Sequence, residues 1–310
     1  MRRPYVFRFE ELIFKRVNEL PSWSRYTLKA AHHRSLKTFD GAGYASQRLH
    51  MPPFHVELFE IKALSPARIH YEMEQKQFFL LFMLEGTATF TTREGLYVSH
   101  ARNNSFCLSV QDRGHYVTEV PTGRHTILCI TLQAEWLSFF VEDQPTLREL
   151  LRSAEELSHD HLPYCSLDRQ ASRWLTSLYK EARLGQGTLD GHLRYFISLI
   201  LERYHQQVAL RVRSLPWKAK CFLDLHYRDP QLSVRGVAKQ LDVSDRLLHY
   251  QFKTEFRSSV HHYYTCRRVA LASRLIREEG RSLSDIYLSC GYNDESTCRY
   301  ALRKFGLPPT

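Results

Sequence analysis

Residues 233–305 carry one apolar pattern twice, and a chain with that repeat has few folds open to it. In the first copy Val234, Val237, Ala238 and Leu241 recur at helical spacing, Asp242-Val243-Ser244 interrupts, and Leu248, Phe252 and Phe256 resume at i, i+4, i+8. In the second copy, 49 positions on, Ser233 maps to Ser282, Val234 to Leu283, Val237 to Ile286, Leu241 to Cys290, Val243 to Tyr292 and Ser244 to Asn293. Leu248 and Phe252 find Cys298 and Leu302 at an interval of 50. Two short helices around a tight turn satisfy this spacing. Ala238 is small where the second helix must cross closely, Val243 plugs the turn, and Ser244 is a natural N-cap. Gly291 stands in the second turn, where a left-handed backbone is often required.

Between the copies, Val260–Glu279 is rich in helix formers and closed by Gly280. Twenty residues of helix span roughly 30 Å, against about 34 Å for one turn of B-DNA. A connecting helix of that length can hold two reading heads on successive major grooves, which points to double-stranded DNA. Charge agrees with an anionic partner: residues 211–310 hold 18 Lys and Arg against 10 Asp and Glu, a net of +8. Residues 1–210 hold 25 against 23, a net of only +2. With Leu248, Phe252 and Phe256 turned inward, Arg246, His249, Tyr250 and Lys253 lie on the free face of the second helix.

Residues 215–310 resemble the AraC/XylS-type transcription regulators. The resemblance is carried by Val237-Ala238, Val243-Ser244, Leu248 with Phe252-Lys253, Tyr264 with Arg267 or Arg268, and Ala270 with Arg274-Leu275. It continues through Ile286, Gly291-Tyr292-Asn293-Asp294-Glu295-Ser296 and Phe305-Gly306 with Pro309. It implies base contacts from Arg246, His249 and Tyr250 in the first unit and from Glu295, Ser296, Thr297 and Tyr300 in the second. Arginine can bind guanine bidentately and glutamate can accept from cytosine, so the residue types suit that role. Arg235, Lys239, Ser244, Lys253, Arg303 and Lys304 are expected at phosphates, where they position without specifying. The family also implies a bacterial cytoplasmic, nucleoid-associated transcription activator that contacts promoter DNA and RNA polymerase. Tyr287, Cys298 and Leu302 depart from its pattern, and the second recognition helix is one residue short. The second unit is therefore expected to pack less tightly and to read fewer bases than the first.

Ahead of this domain, residues 50–135 read as short strands such as His55–Leu64, Gln77–Leu84, Thr87–Thr92 and His125–Leu132, separated by glycine turns. They predict a small barrel or sandwich, which the family resemblance makes a cupin-like, effector-sensing barrel over 1–140. Helical periodicity follows over 141–208 in three stripes. They are Leu147, Leu150, Leu151, Ala154 and Leu157; then Leu167, Ala171, Trp174, Leu175 and Leu178; then Leu189, Leu193, Phe196, Ile197, Ile200, Leu201 and Tyr204. The third stripe either covers the barrel or forms a homodimer contact through 188–207. A linker is expected over 209–216, ended by Pro216, then the DNA-binding domain over 217–310, with its units at 233–256 and 282–305 around the 260–279 helix. The fold class is thus α+β, with an N-terminal β-barrel and a C-terminal all-α domain.

Seven scattered cysteines without a CxxC pair suit reduced thiols. The longest apolar run, Phe78–Leu84, is too short for a bilayer, and no signal-peptide core follows Met1, so no membrane partner or export is expected. No cofactor or metal is expected either. The barrel histidines lack the close imidazole pairing of a metal site, and His159-Asp160-His161 reads as a solvated loop. The alternatives to a non-enzymatic regulator are a cupin-type metalloenzyme and an alkyl-transfer DNA-repair protein, each with a DNA-targeting tail.

Overall fold

The segment Ala67–Met73 shows why the first part of the chain becomes sheet. Ala67, Ile69, Tyr71 and Met73 are buried while Arg68 and His70 are exposed, the two-residue alternation of a half-buried strand. In the computed structural model the described residues are 4–7, 15–16, 19–39, 42–141, 144–156, 159–180 and 185–308. They divide into two units, Met1–Phe90 with Val98–Leu210, and Thr91–Tyr97 with Arg211–Thr310. Leu157 and Pro309 lie outside the described residues.

The strands are β1 (Tyr5–Phe7), β2 (Lys15–Arg16), β3 (His33–Phe39), β4 (Ala42–Met51), β5 (Phe54–Ala63), β6 (Ala67–Met73) and β7 (Gln77–Glu85). They continue with β8 (Ala88–Thr92), β9 (Tyr97–Ala101), β10 (Ser105–Gln111), β11 (Gly114–Val120), β12 (Gly123–Leu132), β13 (His159–His161) and β14 (Cys165–Ser166). One sheet runs β1-β6-β11-β8-β9 and the other β13-β10-β7-β12-β5-β4-β3-β2, with β14 also on β10. Two antiparallel sheets thus stand where the strand spacing predicts a small barrel or sandwich. Its long middle strand β12 pairs antiparallel with β5 from Gly123↔Ala63 to Leu132↔Phe54. Residues 1–49, which the pattern alone does not place, contribute β3 and most of β4 to the larger sheet.

Four helices follow: α1 (Ala134–Val141), α2 (Pro145–Glu156), α3 (Arg169–Lys180) and α4 (Gln186–Arg211). On the larger sheet Leu80, Phe82, Phe106, Leu108, Leu128 and Ile130 are wholly buried, and Phe82 stacks on Phe106 at 5.4 Å. Tyr204 of α4 packs on Phe106 at 5.1 Å and donates its hydroxyl to the Pro163 carbonyl at 2.8 Å. Leu189, Leu193, Ile197, Ile200 and Leu201 are buried with it. The third stripe therefore covers its own sheet, and each buried side chain contributes about 1.5–3 kcal/mol there.

Two expectations are corrected. Helix α4 runs on through Arg211 and the next helix starts at Leu215, so the 209–216 linker shrinks to residues 212–214. Pro216 does not end a segment; it sits in the first turn of that helix, where its missing N–H is harmless. His159, Asp160 and His161 are not a solvated loop but the buried strand β13, paired with Gln111, Val110 and Ser109. Among the described residues no group of three or more His, Cys, Asp or Glu is arranged to hold a metal ion. No helix among them is long and apolar enough to cross a membrane.

The C-terminal unit is helical: α5 (Leu215–His226), α6 (Val234–Gln240), α7 (Asp245–Phe256), α8 (Val260–Glu279), α9 (Leu283–Ile286) and α10 (Glu295–Lys304). Two helix-turn-helix pairs, α6–α7 and α9–α10, are joined by the long helix α8.

Candidate nucleic-acid interface

Each recognition helix begins where a side chain satisfies its free N–H groups. Ser244 Oγ accepts from the Leu247 amide at 3.2 Å to start α7, and Asp294 Oδ1 accepts from Thr297 at 2.7 Å to start α10. The cap of the second helix is thus Asp294, not the Asn293 that an interval of 49 selects. One residue is added within the second turn, and from there on the copies run at 50. Both turns need a left-handed residue, Asp242 at φ 54° and Gly291 at φ 86°.

Below α7, Leu248, Phe252 and Phe256 are buried to 1% or less; Phe256 meets Trp217 at 5.2 Å and Phe252 meets Tyr263 edge-on at 5.6 Å. The looser packing expected of the second unit is not found: Cys298 and Leu302 are both at 0%. Their smaller volume is offset by Tyr292, buried to 5% where the first turn has the half-buried Val243. Large and small have changed places across the turn, a swap that keeps the core filled.

A buried polar hub orients the helices. Asp224 of α5 accepts from Lys220 Nζ at 2.8 Å, Tyr263 OH at 2.8 Å and Arg267 Nε at 3.1 Å. Arg268 donates Nε to the Tyr227 carbonyl at 2.7 Å and Nη2 to that of Asp229 at 2.8 Å, with its guanidinium over the rings of Tyr264 and Tyr292. Arg267 and Arg268 therefore both have structural duties: one ties α8 to the last turn of α5, the other to the residues just after α5 and to Tyr292 of the second turn. Glu255 of α7 accepts from Trp217 Nε1 at 3.0 Å and Arg211 at 2.6 Å.

The outward faces follow. On α7, Arg246, His249, Tyr250 and Lys253 are exposed on one side, Tyr250 at 70%. The side chains of Arg246, His249 and Lys253 make no hydrogen bond or ion pair among the described residues. Arg235 and Lys239 are exposed on α6. At the interval of 50, α10 places Ser296, Arg299, Tyr300 and Arg303 at the matching positions, and Tyr300 is also 70% exposed.

The other second-unit residues are engaged locally. The hydroxyls of Ser296 and Thr297 both donate to Asp294, the latter at 2.8 Å. The Ser296 hydroxyl, then the Thr297 amide and hydroxyl, hold the Asp294 carboxyl below its usual range. Glu295 is ion-paired to Arg299 one turn on. Ser244 already serves as a cap, and Arg303 and Lys304 are exposed in the last turn of α10, where cations also complement the helix dipole. Arg299 was not singled out from the sequence, although the interval of 50 that pairs Leu248 with Cys298 also pairs it with His249. At 50 the correspondence is legible.

Of the four cysteines at 221, 266, 290 and 298, Cys221 is exposed and the other three are buried. Burial pushes the Cys266 and Cys290 thiols up to about 11 and that of Cys298 to about 12. An alkyl-accepting role requires a thiolate, which these surroundings disfavour.

In the β unit a cavity of about 70 Å³ opens between the two sheets, lined by residues of β1, β4–β8 and β10–β12. Seven of its fifteen lining residues are aromatic. Gln111 Oε1 there accepts from Tyr71 OH at 3.0 Å.

The family model described as a helix-turn-helix domain matches residues 237–310. No curated protein matches the chain in sequence. Among solved structures, ToxT from Vibrio cholerae is similar at 12% identity over 78% of this chain and 94% of that one, with a TM-score of 0.33. CuxR, an AraC-like transcriptional activator, is similar at 16% identity over 81% and 86%, with a TM-score of 0.36. The C-terminal domain of AraT, a response regulator from Geobacillus stearothermophilus, is similar at 24% identity over 32% and 83%, with a TM-score of 0.31. None of these likenesses is close enough to carry a residue's role across, and the assignment of the domain rests on the family match.

Proposed function

We propose that this chain, whose residues 237–310 match a helix-turn-helix domain, is an AraC-type DNA-binding transcription regulator whose two recognition helices both read bases, in two successive major grooves. The observation that carries this reading is the paired outward face. Tyr250 and Tyr300 stand at matching positions of the two units, each 70% exposed, and the units are joined by a 20-residue helix. Arg246, His249 and Tyr250 read the first half-site, and Tyr300 with Arg299 the second. Arg299 replaces Glu295 as the reader: its fork suits guanine, and the carboxylate of Glu295 holds that fork in place. Ser296 and Thr297 contribute mainly through the cap. Arg235, Lys239 and Lys253 contact phosphates, with Ser244, Arg303 and Lys304 secondary to them.

A footprint of the purified protein on promoter fragments tests this reading. About 17–20 protected base pairs correspond to two grooves at roughly 10 base pairs per turn. Protection confined to about 10 base pairs would leave the second unit without a reading role.

The N-terminal unit acts as the sensor, with its cavity as the effector site. A homodimer through 188–207 uses the outward side of α4, where Tyr195 is 61% exposed, because the apolar stripe is already buried in its own unit. Sedimentation of Tyr195→Glu beside the parent protein tests that contact. Activation through RNA polymerase follows from the family resemblance, and transcription in vitro from a footprinted promoter decides its sign.

A further inference from the structure

We infer that the cavity of the β unit binds a compact, uncharged aromatic molecule carrying one hydrogen-bond acceptor, held by the side-chain amide of Gln111. This rests on the reading of that unit as a sensor and adds the chemistry of what it senses.

The wall is built for a neutral guest. Tyr5, Phe7, Phe59, Tyr71, Phe79 and Phe90 supply ring faces, and four aliphatic residues add to them. Among the described residues, none that lines the cavity is Lys, Arg, His, Asp or Glu. Its titratable members stay protonated: burial raises the Tyr5 and Tyr71 hydroxyls and the Cys129 thiol far above their ordinary values. An anionic ligand would therefore lose its hydration and meet no counter-charge.

The surroundings reinforce that choice. Beside the lining, Glu57 is fully buried and accepts the Tyr5 hydroxyl at 2.8 Å. Arg48 lies 3.8 Å and His55 3.5 Å from its carboxylate, on the same faces of β4 and β5 as Tyr44, Phe59 and Ile61. With Arg48 beside it, this carboxylate is already engaged outside the lining residues, and the lining itself offers an anionic ligand no cation. A sugar is disfavoured differently, since its many hydroxyls would find only Ser109, Gln111 and Thr118 as polar side chains, besides the tyrosines and Cys129.

The anchor is specific. Gln111 is 6% exposed, and its Oε1 is committed to Tyr71 OH, which fixes the amide orientation and leaves the Nε2 hydrogens as donors. Ser109 lies two residues away on β10, so both side chains are on the same face of the strand. A carbonyl, ether or phenol oxygen on a flat apolar ring meets these requirements.

The test uses the full-length protein with three probes of one skeleton: acetophenone (neutral with an acceptor), toluene (neutral without one) and benzoate (anionic). Thermal shift titrations should show acetophenone binding at least tenfold more tightly than benzoate. Gln111→Leu should weaken acetophenone at least tenfold and leave toluene unchanged, a split that mere loss of structure would not produce. Ile69→Phe, or Thr118→Ile should that variant fail to fold, should abolish binding of both neutral probes by filling the space. Benzoate binding as tightly as acetophenone overturns the neutral class, and equal losses of acetophenone and toluene in Gln111→Leu overturn the anchor. No stabilisation by either neutral probe overturns the site. A footprint repeated with saturating acetophenone separates the two readings. An unchanged footprint despite binding counts against the sensor and leaves the ligand chemistry standing, whereas a benzoate-dependent footprint does the reverse.

Discussion

Gly291 is where the backbone of the second turn, the end of α5 and Arg268 converge, and replacing it by alanine should disable the second reading head selectively. Its φ of 86° lies in the left-handed region, which costs an alanine about 1–2 kcal/mol. A Cβ there would also lie 2.5 Å from the Tyr227 carbonyl oxygen and 2.8 Å from Arg268 Nε. Those two atoms are themselves hydrogen-bonded at 2.7 Å, so the methyl group must break a charge-assisted bond, worth about 1.5–3 kcal/mol. The total loss is about 3–4 kcal/mol. Gly280→Ala is the control: its φ of 64° is also left-handed, but nothing lies within 4 Å of a Cβ there, so only the backbone cost applies. The difference of about 2 kcal/mol corresponds to roughly a 30-fold ratio in opening equilibrium. Hydrogen exchange on the α10 amides of full-length protein reads it directly, and the footprint of Gly291→Ala should shrink to about 10 base pairs. Equal exchange in the two variants would refute the argument, because it would mean that backbone handedness alone, not the approach of Tyr227 and Arg268, demands glycine.

Arg246→Ala should relax preference at one base position and cost roughly 1–3 kcal/mol on specific DNA; equal weakening on random sequence would remove it from the base readers. Lys253→Ala should weaken all sequences alike and flatten the salt dependence of binding, and an unchanged slope would strike it from the phosphate contacts. Arg299→Ala should abolish discrimination in the second half-site, whereas Glu295→Gln should keep the preferred base and narrow its margin; a switch of preferred base in Glu295→Gln would make the glutamate the reader. The C-terminal unit should also lose stability in mild acid. Burial, then Lys304 and His261, depress His262, while burial, then Arg268 and Lys304, depress His261. The unfolded chain, titrating near 6.5, takes up those protons first, so the contribution is whole above that value and lost as pH falls through the lower folded values. Melting curves between pH 7.5 and 5 should show this slope, and His262→Gln should reduce it.

Much of the C-terminal fold is local and therefore legible. Leu248, Phe252 and Phe256 at i, i+4, i+8 leave one choice of buried face, and Gly280 stops α8 because a left-handed residue ends a helix cheaply. The strands of the β unit show through wherever one face is wet, as in Ala67–Met73. They are obscure where both faces are buried, as in Ser105–Gln111, whose seven residues are all covered and show no alternation. Short range also misled. Asn293 and Asp294 are both good caps by residue type, and the structure uses Asp294. His159-Asp160-His161 is as polar as a loop, yet β10 offers it a free edge.

By itself, then, the sequence determined two helix-turn-helix units, the helix between them and an antiparallel β domain ahead. Each of these depends on periodicity and capping among near neighbours. Only the tertiary structure decided that the stripe of α4 is spent on its own sheet, that Asp294 caps α10 with Arg299 paired to Glu295, and that a cavity without charged lining residues lies between the sheets. The first and last of these depend on residues far apart in the chain, such as Phe106 with Tyr204 and Tyr71 with Gln111. No local pattern records which distant side chain will satisfy or exclude a given group.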